Sequence, residues 1–271
     1  MAFQPVIPFG GLVGWAFLNR TLERQSAAFE AAPEISRDID YFAEKIGAID
    51  TAAQLVGDRR LLSVALGAFG LQDDVDNRFF VQKMLEEGTI DPKSFANRMA
   101  DDRYKSFSRT FGFGDFSVPR TKLSTFAEEI VGLYKERSFE VAVGEQDENL
   151  RLALNAKREL VELAGGSDEN DTKWFRLMGN APLRQVMETA LGLPDGFGQL
   201  DLDQQLVVFR EKAERQLGDD EISQFTEPEA VERLVQRFLV RAQIAEVQTT
   251  TAGTVALTLL QGAATARQGL L

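Results

Sequence analysis

Two Asp-x-Asp pairs, Asp74-Val-Asp76 and Asp201-Leu-Asp203, open as a calcium-binding loop opens. Such a loop goes on to an oxygen ligand at its fifth position, glycine at its sixth and a bidentate Glu at its twelfth. Here the fifth position is Arg78 or Gln205, the sixth Phe79 or Leu206, and the twelfth Leu85 or Lys212. A cation would lack most of its ligands, so capping of a following helix is the better use of both pairs. Asp168-Glu169 and Asp219-Asp220-Glu221 lie in polar loops and read as solvated turns. A glycosidase dyad is defined by a distance in space, which spacing in sequence does not supply. Gly112-Phe-Gly114 follows a helical aromatic stretch rather than a strand and lacks the third glycine of a phosphate loop. A buried lysine could form a Schiff base, but no Lys is singled out by its surroundings.

The chain contains neither cysteine nor histidine. Disulfides, thiol nucleophiles, a Ser-His-Asp triad and a His general base are therefore excluded, together with the usual zinc sites. No catalytic residue, cofactor or metal is assigned. The 20 Phe, against 3 Tyr and 2 Trp, read mainly as core. The candidates for an apolar groove or partner patch are Phe107, Phe111, Phe113 and Phe116, which surround Gly112 and Gly114.

The elements that must carry these residues are helical. The organising feature is a helix read twice, Asp58 to Leu71 and Asn180 to Leu193, 122 residues apart. Both fit the frame [Asp/Asn]-x-x-Leu-x-x-Val-x-x-x-Ala-[Phe/Leu]-Gly-Leu. Asp58 or Asn180 accepts from the free N–H groups of the first turn. Leu, Val and Ala line one face. Gly70 or Gly192 takes the left-handed conformation that closes the helix, and the next Leu packs back.

Around this pair, a helix is expected from about Val13 to Ala31, with Trp15, Leu18, Leu22 and Phe29 inward. Pro33 opens the next, carrying Ile35, Ile39, Phe42 and Ile46. Asp50 is expected to cap a short helix, Asp74 a helix ended by Gly88, and Asp91-Pro92 to start another. A long helix from about Thr121 to Val143 with Leu123, Phe126, Ile130 and Leu133 inward turns at Gly144. Asp147 caps its partner, with Leu150, Leu154, Val161 and Leu163 inward. Asp201 to Val208 parallels Asp74 to Val81, 127 residues on, and Thr226-Glu-Pro-Glu229 reads as a capping box that parallels Asp91-Pro92. No segment alternates as a strand does.

The expected fold is therefore all-α, with about eight to eleven helices. Its divisions are an N-terminal segment and helix (1–37), a first helical repeat (38–113), a central hairpin (114–170), a second repeat (171–243) and an uncharged tail (244–271). A net charge of -12 with no basic block argues against nucleic acid and against anionic membrane surfaces. Residues 1–19 lack the basic start of a cleavable signal peptide and contain Pro5 and Pro8. The run Val247 to Ala266 holds six Thr, two Gln and two Gly, a poor membrane span.

The stretch Lys173-Trp-Phe-Arg-Leu-Met-Gly-Asn-Ala-Pro-Leu-Arg-Gln-Val-Met-Glu-Thr-Ala-Leu-Gly-Leu193, with Phe197 to Leu206, Asp58 to Leu71 and Phe80 to Gly88, resembles an uncharacterised all-helical family of alphaproteobacterial proteins, a domain of unknown function often encoded among flagellar genes. The likeness covers most of residues 35–243 and brings no catalytic residue with it. By genomic context it implies a non-enzymatic structural, assembly or export-related role at the flagellum. Its partners would be proteins, flagellar components among them, and its place cytoplasmic or flagellum-associated. A homo-oligomer stays open. Two alternatives stand beside this: a helical module that binds an apolar small molecule in a Phe-lined pocket, and an enzyme that uses Asp, Glu or Lys.

Overall fold

The computed structural model describes the backbone of residues 3–194 and 196–268, and the side chains of 3–194 and 196–248. Among them lie twelve α-helices and no strand. The all-α class is as expected, and the helices number one more than the upper end of the expected range. The helices are α1 (Gly11–Glu30), α2 (Pro33–Lys45), α3 (Ala52–Gly57), α4 (Arg59–Gly67), α5 (Arg78–Glu87), α6 (Asp102–Phe111), α7 (Phe126–Gly144), α8 (Glu148–Gly165), α9 (Asn170–Gly179), α10 (Ala181–Leu191), α11 (Leu202–Leu217) and α12 (Pro228–Gln268).

The duplicated frame is visible in the backbone itself. Asp58 ends α3 and begins α4 at φ -101°, ψ 101°; Asn180 ends α9 and begins α10 at φ -96°, ψ 101°. Asp58 Oδ1 accepts from the N–H of Arg60 and Leu61, and Asn180 Oδ1 from that of Leu183. Gly70 and Gly192 then turn left-handed at φ 69° and 64°. The amide of the following Leu reaches back to a carbonyl five residues earlier, Leu71 to Leu66 and Leu193 to Glu188, each at 2.9 Å. That bond satisfies a carbonyl that the helix end would leave open.

Several helix starts differ from expectation because a side chain finds another partner. Thr51, not Asp50, caps α3, in a reciprocal box with Gln54. Asp74 accepts from the Asn77 side chain, and α5 starts only at Arg78. Asp91 accepts from the Lys93 amide in a tight turn, so Pro92 opens no helix. The Thr226 hydroxyl donates to the Ser223 carbonyl, and α12 starts at Pro228 without the expected box. Thr121 donates to the Ile49 carbonyl at 2.7 Å within a 3-10 turn, which delays α7 to Phe126. Leu123 is thereby left 51% exposed, and Val161, also expected inward, is 47% exposed.

The apolar faces gather into two cores. The first joins α2 to α6 with the N-terminal half of α7, around Phe42, Leu61, Leu66, Phe107, Phe111 and Phe126. The second joins α1, the C-terminal half of α7 and α8 to α12, around Trp15, Leu150, Trp174, Leu183, Phe209 and Phe238. Each fully buried large side chain contributes roughly 1.5–3 kcal/mol by leaving water. The buried apolar residues thus form two clusters. α1 belongs to the second, and α7 is shared, giving Ile130 and Tyr134 to one core and Phe139 and Val143 to the other. α12 runs on through the C-terminal tail without a break to Gln268. The side chains of that tail from 249 onward, and residues 269–271 altogether, lie outside the described residues. No helix among the described residues is long and apolar enough to cross a membrane.

Candidate interaction surface

The four phenylalanine candidates separate by position on α6 and the turn after it. Phe107 and Phe111, four residues apart, share the inner face of α6 and are fully buried. Phe69 meets Phe107 edge-on at 5.4 Å, and Phe126 meets Phe111 at 5.1 Å. Phe113 is half-buried and stacks on Phe111 at 5.9 Å. Only Phe116, 53% exposed, offers a surface. Phe107, Phe111 and Phe113 thus pack on other rings. The neighbouring glycines have mechanical reasons: Gly112 closes α6 at φ 67°, and a Cβ on Gly114 would stand 2.4 Å from the Glu86 carbonyl oxygen.

The acid pairs are also employed locally. Asp74 accepts the Tyr104 hydroxyl at 2.7 Å, and burial together with that carboxylate pushes the phenol up to about 12. Asp76 pairs with Arg59, and Asp201 Oδ1 accepts the Gln204 amide at the start of α11. The most enclosed ion pairs among the described residues sit between α7 and α8. Arg158 grips Glu140 through two bonds of 2.9 Å, and Glu159 accepts from Arg137 at 2.8 Å and from Arg158. Their side chains are 12–18% exposed. Burial and the charge of Arg158 draw the Arg137 guanidinium below its ordinary value. Burial acts the same way on Arg158, but Glu140 and Glu159 outweigh it and raise that group. Two cations and two anions pair across the two helices as a clasp, although Arg137 Nε is buried there without a hydrogen-bond partner.

A different surface is less self-sufficient. On α12, Arg233, Arg237 and Arg241 recur every fourth residue on one face. They line a groove of about 760 Å³ with Leu12, Val240 and Ile244. Arg237 donates to the Ala190 carbonyl at 2.8 Å and to the Gln216 amide oxygen. Burial, then the charge of Arg241, lowers its guanidinium below the ordinary value. Among the described residues, none of the three arginines pairs with a carboxylate, and no acid lines the groove. Val13, next to Leu12 in the chain, and Val247, next to Gln248, are 64% and 61% exposed.

The N-terminal side of the groove is held by specific contacts. Trp15 Nε1 donates to both oxygens of Glu232 on α12, at 3.0 and 3.1 Å. Gly14 lets the incoming chain fold over α1, since a Cβ there would lie 1.9 Å from the Phe9 carbonyl oxygen. Gln25 then clasps Val6 through its amide, accepting from the Val6 N–H and donating to its carbonyl. Sequence reasoning did not select this face. The available signal was Arg-x-x-x-Arg-x-x-x-Arg, a row of like charges that mutually repel along a helix.

The fold has a counterpart. The crystal structure of an Agrobacterium tumefaciens protein, solved as a structural genomics target, matches at a TM-score of 0.71 and 22% identity, covering 89% of this chain and 99% of that one. At that identity the likeness speaks for the fold. No curated protein matches the chain. A family model matches residues 68–231, from the end of the first organising helix through the first turn of α12. The chain belongs to the family described as protein of unknown function (DUF1217).

Proposed function

We propose that this protein is a non-enzymatic structural, assembly or export-related component associated with the bacterial flagellum, acting through helix-face contacts with other proteins. The observation that carries the contact reading is the α12 groove, where three arginines with no carboxylate partner among the described residues lie beside exposed Leu12, Val240 and Ile244. Exposed apolar residues next to a continuous helix mark interaction surfaces more often than they mark catalytic ones. The pairing of Arg137, Glu140, Arg158 and Glu159 ties α7 to α8 and so supports a structural use of these ions. The flagellar part rests on the sequence resemblance at Asp58 to Leu71 and Lys173 to Leu193.

Deletion of the gene in a flagellated host is expected to impair swimming, filament assembly or export. Normal filaments, export and swimming would remove the flagellar reading. A pull-down that treats culture supernatant and basal bodies separately is expected to recover the protein with flagellar components, and so to decide between a cytoplasmic and a flagellum-associated location.

A further inference from the structure

We infer that the groove between the start of α1 and the outer face of α12 receives an acidic amphipathic helix from a protein partner. This rests on the reading that the protein works through helix-face contacts, and it gives that contact a chemistry. The molecule carries a net charge of -12, yet this groove presents three arginines and no acid. Arg233 and Arg241 find no carboxylate among the described residues, and the hydrogen-bond acceptors of Arg237 are neutral. A row of like charges at four-residue spacing weakens its own helix. It becomes favourable when anions arrive with the same spacing.

The dimensions select the kind of ligand. Arg233 to Gln248 bounds the groove along α12, which at 1.5 Å per residue is about 22 Å, or roughly four helical turns. Successive arginines are about 6 Å apart along the axis, the rise between residues i and i+4 of a second helix. Leu12, Val240 and Ile244 supply an apolar strip beside them. A helix with Glu at i, i+4 and i+8 and leucines on the adjoining face meets both features at once, in the helix-in-groove mode. An anionic bilayer also offers negative charge, but the acidic remainder of the protein is repelled by it.

The test uses the full-length protein and a fluorescein-labelled helical peptide of about four turns. The peptide carries leucines on one face and Glu along the edge; a second peptide has Lys in place of Glu. The Glu peptide is expected to bind in fluorescence anisotropy, more weakly as salt rises, and the Lys peptide not to bind. The double variant Arg233→Glu/Arg241→Glu is expected to lose about tenfold or more in affinity, and Ile244→Asp to lose a comparable amount. The charge-matched double variant Arg20→Glu/Arg24→Glu, exposed on α1, is expected to bind as the parent does. Circular dichroism melts establish that each variant is folded. Binding of both peptides alike, binding of neither, or unchanged affinity in the Arg233/Arg241 variant would overturn the proposal. So would co-sedimentation with phosphatidylglycerol vesicles in preference to the peptide, or a self-association in light scattering that the same variant abolishes. A deletion strain that swims normally would remove the flagellar reading and leave this result standing. A failed titration would remove the helix-docking inference and leave the strain phenotype standing.

Discussion

The joint between α3 and α4 and the joint between α9 and α10 have nearly the same backbone angles, and then the two halves diverge. Asp58 and Asn180 each end one helix and start the next. Gly70 and Gly192 each close the second helix within 5° of the same φ. After that, the first half makes a 3-10 turn at Gln72–Asp74, a ten-residue α5 and a stretch of turns before α6. The second half inserts a loop, runs a sixteen-residue α11 and reaches α12 through a 3-10 turn at Ile222–Thr226. The shared part is held by bonds that span at most five residues. The divergent part is set by neighbours: Tyr104 takes Asp74 away from capping, whereas Asp201 is free to cap α11.

The comparison can be broken most forcefully in the cores. Leu61→Ala and Leu183→Ala occupy matching positions, 1% and 3% exposed, and each is expected to cost about 2–5 kcal/mol. Because α7 lends side chains to both cores, each variant should still unfold in one transition by calorimetry. Two separated transitions would show that the halves are independent. Next in size is the clasp between α7 and α8. Arg158→Met leaves Glu140 without its cation and is expected to cost about 3 kcal/mol in urea titrations. The double variant Arg158→Met/Glu140→Met should cost less than the single one, since it strands fewer buried charges.

Smaller effects sharpen the likeness between the two organising helices. Gly70→Ala and Gly192→Ala force a Cβ into left-handed backbone, each at about 1–2 kcal/mol. The second should be slightly worse, because its Cβ would stand 2.0 Å from Arg241 Nη1, against 3.3 Å from Arg103 Nη1 at Gly70. Melting temperatures of the pair decide the order. Removing either cap, by Asp58→Ala or Asn180→Ala, is expected to cost about 1 kcal/mol.

Only the first cap titrates. Burial works to raise the Asp58 carboxyl, but the Tyr41 hydroxyl and two backbone N–H groups outweigh it and hold it below its ordinary value of 3.8. A lowered folded-state pKa adds stability that is present above 3.8 and lost as pH falls through the lowered value. Asp58→Asn should therefore flatten the acid limb of stability against pH. A change at Asn180 should leave that limb's slope as it was.

The sequence by itself determined the helical class, the two cap-to-glycine frames and the Pro33 and Asp147 starts. These depend on bonds between residues close in the chain, so residue type and spacing suffice to read them. Burial and pairing were decided by tertiary structure. Phe107 and Phe116 are the same residue type on either side of Gly112, yet one faces Phe69 and the other faces water. Leu123 turned outward because Thr121 found a partner 72 residues away at Ile49. The arginines of α12 became a surface only when α1 was laid beside them and no carboxylate among the described residues arrived to pair with them. A side chain's environment is made by elements distant in sequence, and no local pattern encodes which of them will come to stand opposite it.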